Sequence, residues 1–188
     1  MEFYPGSATV PEAMRTSRLF LRPLRTTDVE LDYDAVMSSA EMLRRWSHSS
    51  WPADDFTLTE NLDDLERHEH EHDERQAFTF TVLNLEGTRC LGCVYLTHLS
   101  PMELQLCEGA AFGTNVRFWV RASEVLTDLD RHLLASLLEW LQTEWAFDCI
   151  VFIVGPEEGR QANLFMEAGL EKRLNFKLPD GRLRSAFH

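Results

Sequence analysis

Several groups of residues in this chain have the types and spacing to do chemistry. Thr127 and Asp130 stand three apart, ahead of Leu133, Leu134, Leu137, Leu138 and Leu141, and read as a capping box that opens an amphipathic helix. Just before them, Val116 to Arg121 is β-branched and aromatic and reads as a strand. A strand feeding a helix through a short loop aims the helix's first N–H groups at the strand's end, where an anion can be held. That junction is the candidate cofactor cradle. The stretch from Arg44 to Pro52 holds Arg44, Arg45, Trp46, His48 and Trp51 and reads either as a packed connection or as a lid over a substrate. His68-Glu69-His70-Glu71-His72 formally matches the His-Glu-x-x-His zinc pattern, with both terminal histidines on one helix face. It lies in an acidic run with a strand pattern a few residues on, so it is expected to be a polar helix end. Cys90-Leu91-Gly92-Cys93 is a Cys-x-x-Cys pair, but residues three apart in a strand face opposite sides. No metal centre is expected.

The elements that must position these groups follow from periodicity. Residues 1–15, with Pro5, Gly6 and Pro11, read as a loose arm. Leu19 to Leu24 is a first strand, which Pro23 confines to an edge or to its own end. Thr27 with Glu30 caps a helix that ends near Ser39, and Thr57 with Glu60 caps one that runs to about Glu74 with an acidic outer face. Phe78 to Leu83 and Cys90 to Leu99 form a hairpin around Glu86-Gly87, followed by an irregular crossing up to Gly113. Cys149 to Val154 is a continuous apolar run, hence a strand buried on both faces. Arg160 to Ala168 is a short helix ended by Gly169, and Leu174 to Leu178 with Arg182 to Phe187 closes the chain as a hairpin through Asp180-Gly181.

At 188 residues the chain reads as a single domain, 1–188, large enough to bury a full core. A net charge of −13 argues against a nucleic-acid partner and suits a cationic small substrate. Nothing reaches the roughly 20 apolar residues of a membrane span. Residues 1–14 lack the pattern of a secretory signal, so a cytoplasmic location is expected, without membrane association. The four cysteines, Cys90, Cys93, Cys107 and Cys149, are expected to be reduced and buried.

The order of elements, the run from Thr16 to Asp28 (Thr-Ser-Arg-Leu-Phe-Leu-Arg-Pro-Leu-Arg-Thr-Thr-Asp) and the run from Leu164 to Glu171 (Leu-Phe-Met-Glu-Ala-Gly-Leu-Glu) resemble the GNAT superfamily of acetyl-CoA-dependent N-acetyltransferases over residues 17–187. The resemblance implies an α/β (α+β) fold. Its central sheet would be mixed, mostly antiparallel and of about seven strands, with helices on both faces, splayed between the fourth and fifth strands, here Val116 to Arg121 and Cys149 to Val154. The cofactor would be acetyl-CoA. Its pantetheine arm would pair with Phe118, Trp119, Val120 and Arg121. Its pyrophosphate would rest on the helix start that includes Thr127, Leu129, Arg131 and His132, with Asn163 and Phe165 contributed by the later helix. Trp46 and Trp51 would border the acceptor, a primary amine of a small molecule or peptide whose positive charge Asp54 and Asp55 would favour. The tail 182–188 leaves room for a homodimer.

The chain departs from the family's pattern in ways that bear on chemistry. Asp128 and Asp130 stand at glycine positions of the phosphate loop. A like charge at about 4 Å costs on the order of 4 kcal/mol at an effective dielectric of 20, a cost that Arg121 and Arg131 would have to offset. Phe165 occupies the position of the usual acid, a tyrosine, and Glu158 that of a common asparagine. Glu124, Glu108 and His98 all qualify as the base; Glu124 is preferred because it follows the central strand directly. These departures keep open a second class of function, a binding or regulatory module without catalysis.

Overall fold

The computed structural model of the chain describes residues 2–178 and 181–188. Its strands are β1 (Met14–Arg15), β2 (Phe20–Pro23), β3 (Phe78–Leu83), β4 (Cys90–His98), β5 (Gly113–Val120), β6 (Cys149–Val154), β7 (Lys172–Lys177) and β8 (Leu183–Phe187). They form one sheet of eight strands in the order β1-β2-β3-β4-β5-β6-β8-β7, antiparallel except for the β5–β6 pair. The strand beyond the expected seven is β1, which pairs Met14 with Leu21. The Asp180 turn of the closing hairpin lies outside the described residues.

Helices cover both faces. On one, α4 (Leu129–Thr143) and α5 (Gly159–Glu167) lay Leu133, Leu137, Leu141, Leu164 and Phe165 over β5 and β6. Leu133 and Leu137 are fully buried, a burial that contributes about 1.5–3 kcal/mol each. On the other, α1 (Val29–Met37) and α2 (Ala40–Ser47) pack Ala35, Val36 and Leu43 against Cys90, Cys93 and Trp119. The remaining helix, α3 (Leu58–Asp73), opens at Thr57, whose side chain accepts from Glu60 N while Glu60 Oε2 accepts from Thr57 N, as its spacing predicts.

Several expectations are corrected. The arm is not loose: Phe3 and Tyr4 are buried among Phe78, Trp145 and Phe147, and Tyr4 Oη accepts from Ala146 N at 2.9 Å. Aromatic area this large outweighs the entropy of a Pro/Gly-rich segment. The helix expected from Thr27 begins at Val29, one residue later, because Asp28 Oδ2 accepts from Arg25 N at 3.0 Å and holds Thr26–Asp28 as a 3-10 turn. Arg44 to Ser47, expected in a loop, is the last turn of α2, which stops at His48 in the left-handed conformation. His68 and His72 are not solvated. His68 Nδ1 lies 3.1 Å from Thr79 Oγ1, and the His72 ring meets Phe78 and Phe80 edge-on. Cys107 and Cys149, expected as thiols, form a disulfide that ties the crossing to the start of β6.

The Cys-x-x-Cys pair is the most consequential correction. Val82 pairs with Gly92 but Leu83 pairs with Cys90, so Leu91 is an extra residue, a β-bulge. The bulge resets the alternation, and Cys90 and Cys93 both face α1. Gly92 permits it: a Cβ there would collide with the Trp119 carbonyl.

Candidate active site

The two central strands pair only in part. Gly113, Thr114, Asn115 and Val116 of β5 lie against Cys149, Ile150, Val151 and Phe152 of β6. Beyond Val116, β5 stays on β4 while β6 turns to β8, where Ile153 and Val154 pair with Ala186 and Ser185. A wedge opens between them. Phe165 of α5 sits at its base, its ring centroid 5.2 Å from Phe152, 5.4 Å from Phe187 and 6.2 Å from Phe118. Phe165 is therefore part of the core that separates the strands, 1% exposed, and does not face the wedge as a tyrosine acid would.

Alternation decides which backbone groups the wedge receives. Arg121 N donates to Leu91 O of β4, so the polar groups of Trp119, two residues earlier, also point to β4, and those of Phe118 and Val120 point to the open edge. Trp119, expected to pair with the cofactor, turns its backbone to β4; its indole donates to Tyr95 Oη at 3.1 Å on the α1 side. The Phe118 carbonyl accepts from Trp46 Nε1 at 3.0 Å and from Gln161 Nε2 at 2.9 Å. These two side chains satisfy a carbonyl that a regular sheet would pair with its neighbouring strand.

Above this lies a cavity of about 180 Å³. Met42, Arg45 and Trp46 of α2 wall one side, Phe118 to Val120 the floor, and Glu157, Glu158, Arg160 and Gln161 at the start of α5 the other side. Trp46 is at the site, but its ring face is covered by the Arg117 guanidinium at 4.0 Å. Trp51 is not at the cavity. It packs edge-on against Phe56, and Asp54 beside it is paired with Arg44 at 2.5 Å.

At the mouth, the expected capping box is replaced. Thr127 Oγ1 donates to Glu124 O at 2.8 Å, and α4 starts from Asp128 in the left-handed conformation without a side-chain cap. Asp130 is turned inward and 7% exposed, gripped by Arg160 Nε at 2.6 Å, while Arg160 Nη2 holds Asp128 at 2.9 Å. The cation that offsets the two aspartates thus comes from α5. Arg121 and Arg131, expected in that role, are spent on Asp34 and Glu167, each at 2.6 Å. Leu129 is buried in the core, His132 bonds Thr16 Oγ1 at 2.9 Å, and Asn163 is exposed outside the cavity.

The carboxylates that line the cavity are Asp130, Glu157 and Glu158, and Glu124 is not among them. Glu124 lies on the 3-10 turn Ala122–Thr127, held by Arg89 at 2.7 Å and outside the cavity lining. Glu158 is 8% exposed, with Oε1 3.1 Å from Arg117 Nη2 and Oε2 accepting from Gly155 N at 2.5 Å. Burial pushes its pKa up, outweighing the lowering by Arg117, and burial likewise lowers that of Arg117. His48 Nε2 lies 3.9 Å from Glu158 Oε2, has no hydrogen-bond partner among the described residues, and packs so closely on Gly155 that a Cβ there would collide with it. Burial, then Arg184 and Arg117, lower the His48 pKa. Glu158, Arg160 and Gln161 follow β6 within seven residues; their signal in the sequence was the acidic and basic run after Gly155-Pro156.

A sheet splayed between two parallel central strands, with a helix tip at the mouth of the split, is the GNAT acetyltransferase fold, and this chain has it. The ribosomal-protein-S5-alanine acetyltransferase of Vibrio fischeri superposes with a TM-score of 0.72 at 14% identity, over 94% of this chain and 95% of that one. RimL, a ribosomal L7/L12 α-N-protein acetyltransferase in complex with coenzyme A, gives 0.75 at 12% identity, over 94% and 96%. The microcin C7 self-immunity acetyltransferase MccE, bound to acetyl-CoA and AMP, gives 0.74 at 10% identity, over 95% and 96%. At such identities the likeness is one of fold. No protein-family model and no curated protein matches the sequence.

Proposed function

We propose that this protein is an N-acetyltransferase that moves an acetyl group from acetyl-CoA to a primary amine. The observation that carries the reading is the divergence of β5 from β6 after Val116, with the start of α4 at its mouth. Acetyl-CoA supplies the activated acyl carbon. The Phe118 carbonyl, now held by Trp46 and Gln161, would accept from an amide of the pantetheine arm, and Arg160 would turn from its aspartates to a phosphate. Glu158 would take a proton from the acceptor ammonium, its pKa raised by burial toward the range a base needs at neutral pH. With Phe165 sealed in the core, protonation of the leaving thiolate falls to solvent at the mouth. Glu124, paired with Arg89, stands outside the cavity lining.

The acceptor is an amine of a small molecule or peptide, and the net charge of −13 favours a cationic one. A cytoplasmic location and a homodimer complete the reading; the tail 182–188 forms β8, enclosed between β6 and β7, so a partner's strand would have to add at an edge of the sheet, β7 beside it or β1. Among the described residues no helix is long and apolar enough to cross a membrane. The test is release of coenzyme A thiol with diamines, lysine-containing peptides and free N-terminal peptides, alongside calorimetry with acetyl-CoA. Thiol release that depends on an amine supports the proposal; no heat at millimolar acetyl-CoA overturns it. A second reading, a binding module without turnover, draws on the capped Phe118 carbonyl and the Arg160 clamp. Binding without thiol release would select it.

A further inference from the structure

Behind the wedge, on the α1 side of the sheet, Asp32, Cys90 and Cys93 bring a carboxylate oxygen and two sulfurs within 4.8 Å of one another. All three residues are buried, at 4%, 1% and 1% exposed. Asp32 has no salt-bridge partner among the described residues, although buried carboxylates are as a rule paired or bound to a metal. Its neighbours are of another kind. Asn61, whose Nδ2 donates to Val29 O at 3.3 Å, lies beside it, and Cys93 Sγ lies 3.5 Å from its Oδ1. Thr81 Oγ1 donates to Cys90 Sγ at 3.6 Å.

We propose that Asp32, Cys90 and Cys93 bind one zinc ion, a structural site that ties α1 to the bulge of β4. The donor set is two soft sulfurs and one oxygen, which suits zinc and not calcium or magnesium. Zinc bonds of about 2.3 Å to sulfur and about 2.0 Å to oxygen place tetrahedral ligand atoms roughly 3.5–3.8 Å apart, and the Cys93 to Asp32 distance of 3.5 Å already meets that spacing. A small oxygen ligand would fill the fourth position. Asn61 and Thr81 are placed to hold the carboxylate and one sulfur in orientation, as outer partners of metal ligands do. Zinc entry displaces the two thiol protons, and that of Asp32 where it is protonated, to solvent.

The bulge is the device that makes the site. Were Leu91 paired in regular register, the two sulfurs, three residues apart, would lie on opposite faces of the sheet. The site also backs the cavity floor. Cys93 pairs with Trp119 and Gly92 with Val120, and Arg121 bonds Cys90 O and Leu91 O. Zinc would stiffen that strand, a role independent of whether the wedge takes acetyl-CoA.

The test is metal content of the untagged protein after dialysis against a chelator. It is joined by the absorption spectrum of the cobalt-substituted protein and by titration with an organomercurial that releases thiolate-bound zinc. Expected are close to one zinc per chain, a thiolate-to-cobalt charge-transfer band, and zinc release matched by two thiols. Asp32→Asn should lower zinc affinity tenfold or more, and Cys93→Ala should abolish the band. The measurements on the unaltered protein do not depend on either variant folding. Metal-free protein that gives no cobalt band overturns the proposal. So does recovery of Cys90 and Cys93 as a disulfide, or metal lost in a His68→Ala, His72→Ala variant but kept in Cys93→Ala.

Discussion

The two edges of β5 are built from the same residues and behave in opposite ways. Along β4 the ladder runs without a break from Gly92 and Val120 to His98 and Thr114. Along β6 it stops at Val116, and the next carbonyl on that edge, Phe118, is satisfied by the side chains of Trp46 and Gln161. The closed edge is a product of backbone pairing and close approach. The open edge is held apart by a buried aromatic, Phe165, and capped by side chains that can be displaced. A groove for an extended ligand needs both: one edge rigid enough to hold the strand, and another left with groups that a ligand can use.

The largest effect is expected where the closed edge has no slack. Gly92→Val should cost more than about 3 kcal/mol in urea unfolding, because its side chain would meet the Trp119 carbonyl; a neutral result would break the contrast between the edges. At the zipped end of the split, replacing Cys107 and Cys149 by alanine should cost about 2–4 kcal/mol, since the bridge closes a separation of 42 residues. Equal melts of oxidised and reduced protein would deny the bridge that role.

On the open edge the effects are on binding and turnover. Glu158→Gln should lower kcat about 100-fold and leave acetyl-CoA affinity within about threefold. In the parent protein, activity should rise with pH through a pKa above the ordinary carboxylate range, because only ionised Glu158 accepts a proton and burial raises its pKa. The rising limb should vanish in the variant; a persistent limb points to another base. Arg160→Ala leaves Asp128 and Asp130 without their cation and should weaken acetyl-CoA binding about tenfold, or about 1.4 kcal/mol by calorimetry. Tighter binding would mean that the clamp only obstructs. The smallest change belongs to Gln161→Ala, below about 1 kcal/mol in cofactor affinity, since Trp46 still holds the Phe118 carbonyl.

How much of this was legible varies with the range of the interaction. The strands β2 to β6, the α3 capping box and the long apolar face of α4 follow from local pattern, and all are present. The α4 cap failed for a physical reason. Asp130 accepts from Arg160, thirty residues away, and from Arg131 N, and does not reach back to Thr127 N. The same holds for Arg121, whose guanidinium crosses to Asp34 of α1. Trp46 was found at the site by its type, whereas Trp51 beside it lies in the packing of Phe56. Glu158 stood in view as an oddity at a position usually held by asparagine; its burial and its contact with Arg117 could not be read from spacing.

What the sequence determined by itself is the set of elements and their order, because hydrophobic period and turn chemistry act over a few residues. That order, together with the runs Thr16 to Asp28 and Leu164 to Glu171, carried the resemblance that implied the fold. Which groups meet at the wedge was decided only in three dimensions. Leu91 bulges out of register, Arg160 reaches back to Asp128 and Asp130, and Phe118 turns its carbonyl to the open edge. Each depends on partners from distant parts of the chain, and a charge or a backbone carbonyl settles with whichever partner the packed structure brings within reach.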